Sequence, residues 1–175
     1  MAQFVVVAVP RRQPHEAFDA LYSAEKDHLI KFLMYQGASQ FEAADAAQDA
    51  LAAVLPDRWQ TLQTPRAYLR RAALRFYLRQ TNLQEEPTGE VPDRPGLSSP
   101  VDRVLLSEET TTVLDAIRQL PPAQRSVLAW SMDGFSPAEI AAELKQPPAA
   151  VRQNLCRARR QLKINLGMEE GETRE

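Results

Sequence analysis

Between Lys145 and Lys163 the chain places Arg152, Arg157, Arg159 and Arg160, with Gln153 among them and no acidic residue. At about 100° per residue, Leu155, Ala158 and Leu162 fall within about 40° of Val151, a narrow apolar seam along one helix. Gln153, Cys156, Arg157 and Arg160 point away from the seam, and Arg152 and Arg159 flank it. A helix with such a face fits the major groove of B-DNA. Gln153 and Arg157, in the first two turns, suit base edges. Arg152, Arg159, Arg160 and Lys163 suit phosphates. Cys156 has no His or acid near it in sequence to activate it, so it reads as a small filler rather than a nucleophile.

Other chemistries have little to stand on. There is no Gly-rich phosphate loop, no Gly-x-Ser-x-Gly and no His-Glu-x-x-His. His15 and His28 come without a cluster of Cys or acidic ligands, so neither a metal nor another cofactor is expected. Asp45 and Asp49 lie one turn apart, but they fit an exposed acidic face or a basic partner better than acid–base catalysis. The chain is not expected to be an enzyme.

The elements that must carry these residues are helical. Phe18, Leu21, Tyr22, Leu29, Phe32 and Leu33 predict a helix over about 14–35. A second starts at Ser39 or Gln40, with Phe41, Ala44, Ala47, Leu51, Val54 and Leu55 expected inward and Glu42, Asp45 and Asp49 outward. Pro56 ends it. Trp59 lies in the next connection. Thr64-Pro65 opens a third helix to about 82, which buries Tyr68, Leu69, Ala72, Ala73 and Phe76 and carries Arg66, Arg70, Arg71, Arg75 and Arg79. Four further helices are expected at about 104–119, 122–132, 137–144 and 148–165. Ser136-Pro137-Ala138-Glu139 is a capping box with proline at the first helical position, and the last two helices form a helix-turn-helix pattern.

Composition divides the chain the same way. The 175 residues carry a net charge of −2, which understates the polarity. Residues 81–110 hold seven acids against two arginines, so an acidic stretch and a basic helix cancel. The expected organisation is all-α: an N-terminal extension (1–13), a first helical domain (14–82), a proline-rich linker (83–103), a second helical domain (104–167) and an acidic tail (168–175). As a flexible coil the linker would span about 25 Å on average. Phe4–Val9 is apolar, but no Lys or Arg precedes it and Pro10-Arg11-Arg12 follows, the wrong order for a secretory signal. No run approaches the ~20 apolar residues a membrane span needs. One cysteine suits a reducing cytosol, so a cytoplasmic location is expected.

At this point a resemblance can be stated. Leu114–Leu128, Gly134–Leu144 and Arg157–Leu162 resemble region 4 of extracytoplasmic-function sigma factors of the sigma-70 family. Glu42–Leu51 and Pro65–Ala73 resemble region 2. The resemblance implies a DNA-binding protein that joins core RNA polymerase and directs promoter-specific initiation of transcription. Region 4 would bind the −35 element through the basic helix. Glu42, Asp45, Gln48 and Asp49 would face the polymerase. Trp59, Arg66, Arg70, Arg71 and Arg75 would hold and stack the melted strand at the −10 element. An anti-sigma factor is a further partner that the family implies. The chain departs from the family at four places: Arg75 and Arg79 stand where Asn and Asp are usual, and Lys145 and Ala150 where Gly and Thr are frequent. The alternatives are a helix-turn-helix regulator that binds an operator, and a sigma-like protein that binds partners without opening promoters.

Overall fold

The computed structural model describes residues 14–54, 62–84 and 107–168, which form seven α-helices and no strand. They are α1 (Pro14–Gln36), α2 (Gln40–Ala52), α3 (Pro65–Gln84), α4 (Glu108–Arg118), α5 (Pro122–Met132), α6 (Pro137–Leu144) and α7 (Pro148–Asn165). The all-helical expectation holds. The N-terminal extension, Trp59, Leu55, Leu105, Leu106, all but the first two residues of the linker and the tail beyond Met168 lie outside the described residues.

Local chemistry sets the ends of the helices. Ser39 caps α2: its hydroxyl accepts from the Glu42 N–H (3.3 Å), and the Glu42 carboxylate accepts from the Ser39 N–H (2.8 Å). Ser136 and Glu139 repeat the device at α6. Hydrogen bonds from Ser136, first through its side chain and then its backbone, hold the Glu139 carboxyl below its ordinary range. That contribution to folding is present above the ordinary carboxylate range and is lost as pH falls through the depressed value. Pro65, Pro122, Pro137 and Pro148 each stand at the first position of a helix, where a missing N–H costs nothing.

Four helices end in paired reverse hydrogen bonds around one left-handed residue. Glycine fills that position at Gly37, Gly134 and Gly167, with φ of 110°, 90° and 68°. At the turn of the helix-turn-helix the residue is Lys145, at φ 51°, ψ 45°. Its N–H donates to the Ala142 carbonyl (3.4 Å) and that of Gln146 to Ala141 (3.0 Å). The turn therefore keeps the shape glycine favours, with a residue that pays roughly 1–2 kcal/mol for it. Lys145 is exposed, so little packing is lost if it is replaced. Lys145→Gly should stabilise the chain by about 0.5–1 kcal/mol, after allowance for glycine's freer unfolded state. Thermal unfolding followed by circular dichroism should show a small rise in Tm; a fall would mean the Lys145 side chain supplies a contact of its own.

Helices α1–α3 pack closely because α2 presents Ala43, Ala46, Ala47 and Ala50, all buried. Phe41 departs from expectation. It is 53 % exposed, because it lies about 150° around the helix from that alanine face. The alanines, with Leu51, do the packing instead. Helices α4–α7 form the second group, with Ile117, Leu128 and Ala158 in one cluster.

The two groups share one core. Phe32 of α1 meets Trp130 of α5 edge to face, ring centroids 5.2 Å apart, and Phe135 meets the same indole edge to face at 4.8 Å. Trp130 is 1 % exposed and belongs to the same cluster as Leu33, Leu51, Val151 and Leu155. Arg118 donates across the junction to the Ala38 carbonyl (3.4 Å).

Candidate nucleic-acid interface

The helix-turn-helix consists of α6, the Lys145–Pro147 turn and α7. Val151, Leu155 and Ala158 are buried and Leu162 is half-buried, so the seam read from periodicity is the packing face. Arg152, Gln153, Arg157, Arg159, Arg160 and Lys163 are all exposed, and α7 carries no acid. Arg159 reaches back to the Ser131 hydroxyl (3.3 Å), which anchors it beside α5. Cys156 is exposed on this face. The arrangement presents five cations on one helix, with Arg157 one turn and Arg160 two turns beyond Gln153. Such a surface attracts phosphate and can reach base edges.

The α3 arginines sit differently. Arg75 and Arg79 are exposed. Arg70, expected on the surface, is fully buried at 0 %. Its Nε and Nη2 donate to the two carboxylate oxygens of Asp133 (2.7 and 3.0 Å), and Nη1 pairs with Glu25. Asp133 comes from the elbow after α5, so sequence-local periodicity could not show that Arg70 would have a partner there. Arg66 donates to the Asp133 carbonyl (3.0 Å), lies 3.5 Å from Glu25, and stacks over Phe135 at 5.4 Å. Arg71 forms an ion pair with Glu143 of α6 at 3.0 Å, at an angle that makes no hydrogen bond. In this arrangement Arg66 and Arg71 remain about half exposed and Arg70 cannot meet any ligand.

On α2, Asp45, Gln48 and Asp49 are exposed, while Glu42 is half-buried and occupied as the cap. Asp49 accepts a long hydrogen bond from Gln80 (3.5 Å). Phe41 falls within about 40° of Asp45 and about 20° of Gln48 around the helix. It is therefore an apolar member of the acidic face, which the sequence reading missed. The angular separation of Phe41 from Ala43, Ala46 and Ala50 was the signal available. Nearby, burial first and the Glu42 carboxylate second push the Tyr77 hydroxyl up from its ordinary pKa.

Two comparisons with known proteins bear on this geometry. The family model described as Sigma-70, region 4, matches residues 111–162, which cover most of α4 and all of α5 and α6 and reach to Leu162 in α7. A solved structure of CnrH in complex with the cytosolic domain of CnrY shares the fold, with a TM-score of 0.56 and 21 % identity, over 89 % of this chain and 91 % of that one. No curated protein matches the chain.

Proposed function

We propose that the chain is a sigma-type initiation factor that associates with core RNA polymerase and directs it to promoters with two recognition elements. The observation that carries this reading is α7: an exposed, acid-free basic helix, second in a helix-turn-helix, inside the segment that matches Sigma-70, region 4. The fold likeness to CnrH over nearly the whole chain adds the α1–α3 group in the expected order. On this reading α7 binds the −35 duplex, the α3 arginines and Trp59 hold the melted −10 strand, and catalysis belongs to the polymerase. Because CnrH is found with the cytosolic domain of CnrY, a protein that sequesters this chain is a partner to expect. No helix among the described residues is long and apolar enough to cross a membrane, and the chain is proposed to act in the cytoplasm.

Gln153 and Arg157 are the base readers, and Arg152, Arg159, Arg160 and Lys163 the phosphate contacts. The two roles differ in what a substitution does. Arg157→Ala should cost about 1–3 kcal/mol on the matched −35 duplex, with scrambled DNA nearly unaffected. Arg160→Ala should weaken both duplexes alike and reduce the salt slope by roughly one unit. Affinities on both duplexes across a salt series decide this. Equal weakening by Arg157→Ala would make α7 an electrostatic anchor only.

The α2 face is assigned to polymerase docking. Reversing Asp45 and Asp49 to Lys should weaken association with core polymerase and leave helicity intact, since exposed substitutions usually stay within about 0.5 kcal/mol. Phe41→Ser should weaken it too. Unchanged affinity in both variants would remove α2 from the contact.

A further inference from the structure

The two surfaces proposed to bind nucleic acid differ in access. The α7 face is open: Arg152, Gln153, Arg157 and Arg160 are exposed in the same structure that buries Arg70 completely. The groups that the α4–α7 half brings to the α3 arginines come from Asp133 and Glu143. Asp133 engages Arg70 through both oxygens at 2.7 and 3.0 Å, in the fork geometry with which a guanidinium also binds phosphate. Glu143 stands 3.0 Å from Arg71, and the Asp133 carbonyl accepts from Arg66. Three successive basic positions on α3 are each met by an acceptor from the other half.

We infer that Asp133 and Glu143 occupy Arg66, Arg70 and Arg71 in place of strand phosphates, so that the closed chain offers its helix-turn-helix to duplex DNA while leaving a single strand only Arg75 and Arg79 free of that cover on α3. This rests on the proposed role of the α3 arginines. Around the latch, Glu25 holds Arg70 and Arg66 from within the α1–α3 half, and His28 lies 3.9 Å from Asp133. When the halves separate, Glu25 stays paired with Arg70 Nη1, and the Nε–Nη2 edge that Asp133 held is released. A strand and the α5–α6 elbow therefore compete for one set of donors, and whatever separates the halves exposes α3.

The test uses the full chain. Spin labels on the native Cys156 and on Lys31→Cys, both exposed sites, report the separation of the halves without DNA. A fluorescein-labelled oligothymidylate reports strand binding. Asp133→Asn/Glu143→Gln should lengthen and broaden the label distance and tighten strand binding about tenfold, the gain expected when a conformer populated one time in ten becomes the main one. Glu108→Gln/Glu109→Gln, which removes the same charge at exposed positions on α4, should change neither. Should the Asn variant lose helicity, Glu143→Lys at the rim, where the side chain is 15 % exposed, should lengthen the distance by itself. An unchanged distance in folded variants overturns the latch. A longer distance without tighter strand binding overturns the gating, and places the fault in the role given to the α3 arginines, since the halves would then have opened.

Discussion

Trp130→Ala should destabilise the chain by about 3–5 kcal/mol, the range for removing a large buried aromatic. The indole fills the junction of both halves, edge to face with Phe32 and Phe135, and is 1 % exposed. Alanine there leaves a cavity that α1 and α5 can close only by moving together. With total stabilities of ~5–15 kcal/mol for a domain, the loss should unfold a measurable fraction of α4–α7 at ambient temperature and detach it from α1–α3. Trp130→Phe should be much milder. It keeps a ring against Phe32 and deletes an indole N–H that meets no acceptor among the described residues. Urea unfolding of the two variants checks this. Similar costs for Ala and Phe would mean the ring contacts do not carry the junction.

Arg70→Ala should cost a comparable ~3–5 kcal/mol, for a different reason. The substitution leaves Glu25 and Asp133 with only the half-exposed Arg66, at 3.5 and 4.0 Å, in place of the buried guanidinium, and breaking a buried pair from one side leaves charge that is poorly compensated. Asp133 is 4 % and Glu25 9 % exposed at the side chain, so water cannot readily take over. Replacing the three together with apolar residues, as Arg70→Met, Glu25→Leu and Asp133→Leu, should recover most of the loss, since well-packed apolar substitutes for a buried ion cluster are often neutral or better. Denaturant midpoints for the single and triple variants give the comparison. A single variant as stable as the parent would show that the cluster offsets its own desolvation and no more.

What could be read from the sequence was what neighbours in sequence decide. The Ser136–Glu139 box, the prolines at helix starts and the Val151–Leu162 seam depend on residues within a few turns of each other, and the structure forms them as the spacing predicts. The burial of Arg70 depends on Asp133, 63 positions away, and no periodicity on α3 announces it. Arg70 sits in a run with Arg66 and Arg71 that reads uniformly as solvated. Phe41 failed for a subtler reason. Its hydrophobicity suggested the core, while the alanines of α2 had already claimed the packing face. Lys145 took a left-handed position that glycine often fills, because the paired reverse hydrogen bonds at the end of α6 impose the conformation regardless of the side chain. For the site, the α7 face was legible because the helix is regular and its face acid-free. The state of α3 was not, because it is set by how the halves meet.

The most direct test of the central claim is run-off transcription with the purified chain, core RNA polymerase and a genomic promoter library. The proposed function predicts transcripts that depend on the chain, start at discrete positions downstream of a shared pair of elements, and diminish with the Arg157→Ala and Asp45/Asp49 reversal variants. Sequence-specific duplex binding by the chain with no association with core polymerase and no chain-dependent transcript would contradict it, and would make the protein an operator-binding regulator built on the same helix-turn-helix.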